Sequence, residues 1–152
     1  MPDMLSNTSC LIALDNIGQL DILHRLYGTI HISEEVATEF GVTVPIWIKV
    51  HSVQDKDKQN ILHNLVDLGE ASTIALAYQF GDVTLILDDR KARKLAANLN
   101  LRFTGLFGVL IKAKQSGSID SVGDVLASLK TAGFRFSPVL EVQALRLAGE
   151  RE

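Results

Sequence analysis

The sequence predicts an α/β fold in which a mainly parallel central sheet lies between two layers of helices. Short apolar runs of strand length alternate with longer segments in which apolar residues recur at helical spacing. The run at residues 83–87 is largely apolar, which is typical of a strand buried on both faces of a parallel sheet. We therefore expect a three-layer α/β/α arrangement with right-handed crossovers.

Length and composition favour one globular domain over residues 1–152, because 47% of the residues are hydrophobic and 22% are charged. The net charge of −3 gives no overall attraction for nucleic acid, so nucleic-acid binding would need a local basic patch. Cys10 is the only cysteine, which fits a reducing compartment. Residues 1–4 lack the features of a signal peptide, and no stretch approaches the roughly 18 apolar residues of a membrane span. We expect a cytoplasmic protein without a membrane segment.

The first half of the chain contains three predicted strands, at residues 4–6, 29–32 and 47–53. The third alternates apolar and polar residues, which favours a half-exposed strand near a sheet edge. Apolar residues at helical spacing predict helices that begin at Cys10, Gln19 and Glu34, and a further helix after Asp55.

The second half adds the central strand and one short strand at residues 101–103. Asp67 and Glu70 have the spacing of a capping box before an alanine-rich helix. Further helices are predicted at 90–98, from Leu106, and from Val122. A Ser-Pro pair at 137–138 starts the last helix, which runs to about Ala148. The last helices, about residues 121–149, are candidates for a peripheral position.

Two carboxylates, Asp88 and Asp89, directly follow the central strand, and ligands in such sheets bind beyond the carboxyl ends of the strands. The simpler alternative is that Asp89 caps the next helix and Asp88 makes a turn. Glu70 lies eighteen residues before Asp88, across one helix and one strand. A helix that folds back antiparallel to its strand would place Glu70 at the same sheet edge, unless Glu70 serves only the capping box.

Two further polar residues follow the first two strands. Asn7 follows the first, and Glu39 lies near the end of the helix after the second, where an exposed helix charge is the simpler alternative. Clustered carboxylates disfavour joint ionisation, and Mg²⁺ or Mn²⁺ relieves that repulsion. We expect Glu39, Glu70 and Asp88 to converge around Asn7 in a site able to cut phosphodiesters.

A basic segment, Arg90 to Lys94, follows the acidic pair and could hold a nucleic-acid backbone, although a solvated helix face explains it equally well. The four histidines lack zinc-like spacing: His24, His31, His51 and His63. Glycine-rich nucleotide motifs and the Gly-x-Ser-x-Gly motif are missing from the sequence, which argues against dinucleotide, nucleoside-triphosphate and serine-hydrolase functions.

Five segments together resemble the PIN-domain family. Residues 6–14 resemble its opening motif, in which a strand ends in Asp-Thr-Ser before an apolar helix, and residues 36–40 resemble its helix carrying a metal-binding Glu. Residues 69–77 resemble its next acidic helix. Residues 87–93 and 104–110 resemble a prokaryotic subgroup in which a Gly-Glu-Ala helix precedes Asp-Asp-Arg.

The resemblance implies a Mg²⁺- or Mn²⁺-dependent ribonuclease, commonly the toxin of a toxin–antitoxin pair, often dimeric and held inactive by its antitoxin. It implies RNA as substrate and assigns the following residues: catalytic Glu39, Glu70, Asp88 and Asp89; metal-binding Asn7, Glu39, Glu70 and Asp88; RNA-binding Ser9, Arg90, Lys91, Arg93 and Lys94.

Asn7 departs from the family pattern, which has Asp there. Asparagine offers a carbonyl ligand but cannot act as a base. The alternative function is therefore a catalytically weakened PIN-like module that binds RNA or a protein. A phosphoacceptor receiver domain fits poorly, because its acidic pair should follow the first strand. In the last helix, Leu140, Ala144 and Leu147 form an apolar stripe that either completes the core, which the sequence slightly favours, or pairs with a second copy.

Overall fold

A computed structural model describes residues 2–151, so Met1 and Glu152, the ends of the predicted domain, lie outside the described residues. The strands of this part of the chain are β1 (Asp3–Ser6), β2 (Ile30–Ser33), β3 (Ile48–His51), β4 (Val83–Ile86) and β5 (Arg102–Thr104). Its helices are α1 (Thr8–Asn16), α2 (Asp21–Tyr27), α3 (Glu34–Phe40), α4 (Lys56–His63), α5 (Leu68–Ala77), α6 (Arg90–Asn98), α7 (Leu106–Gln115), α8 (Val122–Thr131) and α9 (Pro138–Leu147).

The five strands form one parallel sheet in the order β3-β2-β1-β4-β5. From β1 the chain builds the sheet outward on one side through β2 and β3, and later on the other side through β4 and β5. The strand order therefore reverses at β1, and β1 pairs with β4 so that Ser6 lies opposite Ile86. Ligand sites in open α/β sheets lie at such switch points, beyond the carboxyl ends of the strands.

The core lies on both faces of the sheet, which confirms the predicted three layers. Adjacent residues of β1 point to opposite faces, as the strand period of two requires: Met4 packs in one apolar cluster and Leu5 in the other. The cluster around Met4 includes buried residues of α1, α2, α7 and α8, and the cluster around Leu5 includes buried residues of α4, α5 and α6.

The element positions follow the sequence pattern closely. β3 is an edge strand, as predicted, and Ile48 is buried while Lys49 is exposed. Val50 departs from the predicted alternation, because it is exposed although it shares a strand face with Ile48. β3 is shorter than the predicted 47–53 because its ladder with β2 covers only four residues. The predicted capping box is wrong in one respect: among the described residues Asp67 occupies the N-cap of α5, but its side chain makes no capping hydrogen bond.

The two C-terminal helices are buried to different extents. α8 contributes Val122, Val125, Leu126 and Leu129 to the core. α9 buries Ala144, whereas Leu140 is 48% exposed and Leu147 is 68% exposed. Across residues 2–151, none of the helices is both long enough and apolar enough to cross a membrane.

Candidate functional site

Asn7 occupies the switch point at the end of β1. Its backbone N–H donates to Ile86 O at 3.1 Å, which ties it to β4, and its side chain is 1% exposed. Neither Oδ1 nor Nδ2 has a hydrogen-bond partner within the described chain. A buried polar group without a partner costs about 1–3 kcal/mol, so such a side chain marks a position that needs a functional explanation.

Glu39 lies next to this position, at the end of α3. The Thr8 hydroxyl, one residue after Asn7, donates to Glu39 Oε1 at 2.8 Å. The same carboxylate lies against Gly69 of α5, where a Cβ atom would overlap it. The start of α1, the end of α3 and the start of α5 therefore meet around the Glu39 carboxylate, although Glu39 itself is exposed.

Glu70 extends this acidic edge from the first turn of α5, where it is half-buried. Burial raises the pKa of its carboxyl above the ordinary value, and the negative charges of Asp67, Asp89 and Glu39 raise it further, against a backbone hydrogen bond that lowers it. Glu70 follows Gly69, which lies against the Glu39 carboxylate, so the first turn of α5 places Glu70 near the carboxyl edge of the sheet.

Asp88 follows β4 and lies against the start of α7. Its Oδ1 accepts a hydrogen bond from the Leu106 N–H at 2.8 Å, and a Cβ atom at Gly105 would come within 2.9 Å of the same oxygen. Burial raises the pKa of the Asp88 carboxyl, while the Leu106 hydrogen bond and the Arg93 guanidinium oppose that shift.

Comparison with known protein families identifies the family of this chain. A family model described as a PIN domain matches residues 3–150, nearly the whole chain. The chain belongs to the PIN-domain family. This membership confirms the family that the motifs resemble, and it supports nuclease-type chemistry and the general use of divalent metal ions. The comparison with curated proteins gives no match.

The chemistry of the PIN-domain donor set fits a divalent ion. Carboxylates and an amide carbonyl are the oxygen ligands that Mg²⁺ prefers, and the unpartnered Oδ1 of Asn7 is available as one of them. The acidic side chains do not form a metal-binding cluster by themselves, however. Within residues 2–151, no three His, Cys, Asp or Glu side chains are placed together so that they could hold a metal ion.

Asp89 has a different position from Asp88. Its Oδ2 accepts from the Ala92 N–H at 3.0 Å, so it caps α6, which is the simpler role that the sequence allowed. Its negative charge still acts on Glu70. The structure therefore separates the acidic pair: Asp88 faces α7, while Asp89 holds the first turn of α6.

The basic segment divides between two cavities. Arg90, Arg93 and Lys94 line a cavity of about 530 Å³ together with Asp88, whereas Lys91 lines another, of about 370 Å³, with Asp67 and Asp89. The Arg93 guanidinium lies over the Phe103 ring, 5.2 Å from its centroid. Ser9 is exposed and lines a third cavity beside Asp88.

Sequence reasoning missed several residues of this PIN-domain site. Thr8, Gly69 and Gly105 set the positions of the carboxylates; all three lie inside quoted motifs, but sequence reasoning gave them no role. Phe107, which lines a cavity with Asp88, also lies inside a quoted motif without an assigned role, whereas Phe134 and Phe136 of the same cavity lie outside every motif.

Proposed function

We propose that this PIN domain is a Mg²⁺- or Mn²⁺-dependent endoribonuclease of reduced activity, and that it is the toxin component of a toxin–antitoxin pair. The observation that carries the proposal is the buried, unpartnered side chain of Asn7 at the switch point of the sheet. A side-chain oxygen left without a partner there is suited to a ligand from outside the chain.

In this proposal Asn7, Glu39, Glu70 and Asp88 hold the metal, with Asp89 next to them. A bound divalent ion supplies activation of water and stabilisation of negative charge at the phosphodiester. Thr8 orients Glu39, and the Leu106 N–H orients Asp88. The raised pKa values of Glu70 and Asp88 reflect burial chiefly, and a nearby cation would favour their ionised forms.

The second candidate is a weakened PIN-like module that binds RNA or a protein without cutting. Asn7 favours it, because an amide lacks the negative charge of the family's Asp and cannot accept a proton. The separation of the acids among residues 2–151 favours it as well. The two candidates share the fold and the RNA-facing surface, and they differ in metal affinity and cleavage.

Ser9, Arg90, Lys91, Arg93 and Lys94 are the proposed RNA contacts. Arg90, Arg93 and Lys94 line one cavity with Asp88, so they would hold the phosphates beside the proposed metal site. We further propose a cognate antitoxin and a homodimer as partners, a cytoplasmic location, and one domain over residues 1–152.

Cleavage of unstructured RNA, measured with Mn²⁺ and with EDTA, tests the proposal. We expect slow Mn²⁺-dependent cleavage that Asp88→Asn and Glu70→Gln reduce at least tenfold, together with a rise in melting temperature on adding Mn²⁺. Glu34→Gln is the matched control, because Glu34 is an exposed acid at the other end of α3. Absence of both cleavage and Mn²⁺ stabilisation would reject the nuclease and leave the binding module.

A further inference from the structure

A cavity lined by aromatic rings adjoins Asp88 on the side of α7 and α9. It measures about 420 Å³, within the range of small-ligand sites, and Phe107, Phe134 and Phe136 line it together with Leu140. The Phe107 and Phe136 rings meet edge to face, with their centroids 5.3 Å apart. All three rings are only partly buried. Lys130 Nζ lies over the Phe136 ring, 5.6 Å from its centroid, so a ligand would use the exposed surface of Phe107 and Phe134.

This aromatic cavity shares two residues with the basic cavity that Arg90, Arg93 and Lys94 line. Asp88 and Leu140 belong to both. The two cavities therefore adjoin at Asp88, one carrying cations and the other carrying aromatic surface. Arg135 adds a further cation to the aromatic cavity.

We infer that the aromatic cavity binds an unpaired base of an RNA strand whose phosphates lie along the basic cavity. The inference rests on the proposed function and adds to it a site on this chain for one base of the strand. A cationic groove beside aromatic platforms is the arrangement by which proteins bind single strands, because phosphates pair with the cations and bases stack on the rings. A paired base in a duplex cannot present its face to such a ring.

The charge of the surroundings decides between RNA and an apolar protein segment as the occupant. Arg90, Arg93, Lys94 and Arg135 make the rim of the two cavities predominantly positive, with Asp88 at their junction. Such a rim complements a polyanion, while the phenylalanines supply flat apolar surface of the kind that a base requires. The site therefore favours a nucleotide chain.

Fluorescence anisotropy with a labelled unstructured RNA in EDTA tests the inference without cleavage. The wild-type protein should bind a strand with bases about tenfold more tightly than an abasic strand of the same length, because both strands carry the phosphates but only one can stack. A duplex of the same sequence should also bind more weakly. Equal affinity for the base-containing and abasic strands would overturn the inference and leave the cavity to a protein partner.

Variants assign the effect to the cavity. Phe134→Ala should weaken binding of the base-containing strand about tenfold, and Phe134→Trp should restore it, which loss of structure alone would not explain. Tyr78→Ala is the matched control, because Tyr78 is an exposed aromatic residue that is not among the residues lining either cavity in the described part of the chain. Like the cavity rings it has a cation nearby, since Lys58 Nζ lies 3.9 Å from the centroid of its ring. Unchanged binding by a folded Phe134→Ala protein would contradict the inference.

The experiments distinguish failure of the nuclease proposal from failure of the base-site proposal. A protein that prefers base-containing RNA in EDTA but never cleaves it with Mn²⁺ keeps the base site and loses the nuclease. A protein that cleaves with Mn²⁺ but binds abasic and base-containing strands equally keeps the nuclease and loses the base site.

Discussion

At the scale of single residues, Asn7 determines what this site can do. We expect Asn7→Asp to preserve the fold, because the two side chains are nearly isosteric. Without metal the variant should be about 1–3 kcal/mol less stable, because it buries an uncompensated charge at the sheet edge that already carries Glu39, Glu70 and Asp88. With Mn²⁺ it should be more stable than the wild type and should cleave unstructured RNA faster, since a carboxylate binds the ion better than an amide does. Melting curves and RNA cleavage with and without Mn²⁺ measure both effects.

The control for this substitution is Asn60→Asp, which makes the same chemical change at an exposed position of α4. Its melting temperature and cleavage should stay at wild-type values in both conditions. If Asn7→Asp gains neither cleavage nor Mn²⁺-dependent stability, the metal-dependent proposal fails, whatever the stability of the metal-free protein.

Gly69 fixes the position of the Glu39 carboxylate. Its backbone is not left-handed, so alanine is allowed there, but the new Cβ would displace Glu39 Oε1 and break the hydrogen bond from Thr8. We expect Gly69→Ala to change stability by less than about 1 kcal/mol, because only the end of a flexible side chain must move. The rise in melting temperature on adding Mn²⁺ should be smaller than in the wild type, and the rate of RNA cleavage should fall about tenfold.

Gly81→Ala is the comparison, since a Cβ there has no neighbour within 4 Å among the described residues. It should leave metal response and cleavage unchanged. A Gly69→Ala protein with the full Mn²⁺ shift in melting temperature would show that Glu39 does not contribute to the metal site.

At the scale of elements, Glu150 connects the segment after α9 to the start of α8 by hydrogen bonds. Its two carboxylate oxygens accept hydrogen bonds from the Val122 N–H at 2.7 Å, the Gly123 N–H at 3.0 Å, the Ser121 hydroxyl and Lys114 Nζ. Burial raises the pKa of the Glu150 carboxyl, but these bonds together outweigh it and lower the pKa to about 2. We expect Glu150→Gln to lower stability at neutral pH by about 2 kcal/mol, because charged hydrogen bonds and the favourable interaction with the helix N-terminus are lost.

The sign of the pH dependence follows from the lowered pKa. The contribution of Glu150 is fully present above the ordinary pKa of 4.5 and is lost as pH falls through about 2. Wild type and Glu150→Gln should therefore differ in thermal or urea unfolding at neutral pH and converge in strong acid. Glu141→Gln, which removes only the exposed pair with Lys130, should cost less than about 1 kcal/mol. A constant difference between wild type and Glu150→Gln at all pH values would contradict this assignment.

At the scale of the whole molecule, the proposed homodimer can be tested at the exposed leucines of α9, Leu140 and Leu147. Leu147 is 68% exposed at the end of that helix, beyond buried Ala144. We expect light scattering to show dimer at high micromolar concentration, and Leu147→Glu to shift the population towards monomer without loss of fold. Ile46→Glu, at an 87% exposed position between α3 and β3, should leave the dimer intact. Monomer alone at that concentration would count against the homodimer.

The sequence by itself determined the order and type of the elements, and it predicted the sheet edge at which we propose the site. Helical and strand periodicities depend on which side chains are apolar within a few positions, and that information is local. It sufficed to predict β4 as a buried strand, β3 as an edge strand, and Ser137 as the start of α9. The predicted central position of β4 is wrong, because β1 is the middle strand of the sheet. The family motifs are equally local, and the family they predicted is confirmed over residues 3–150.

Only the tertiary structure decided how the side chains at that edge are used. For each of Asp88 and Asp89 the sequence left open a place in the site or a local role, a turn for Asp88 and the cap of the next helix for Asp89. The packing of α7 against the end of β4 gave Asp88 the Leu106 N–H, and Asp89 capped α6. Likewise, the aromatic cavity combines Phe107 with Phe134 and Phe136, more than twenty-five residues later in the chain. Burial, desolvation and close approach depend on elements distant in sequence, and no local pattern encodes where those elements meet.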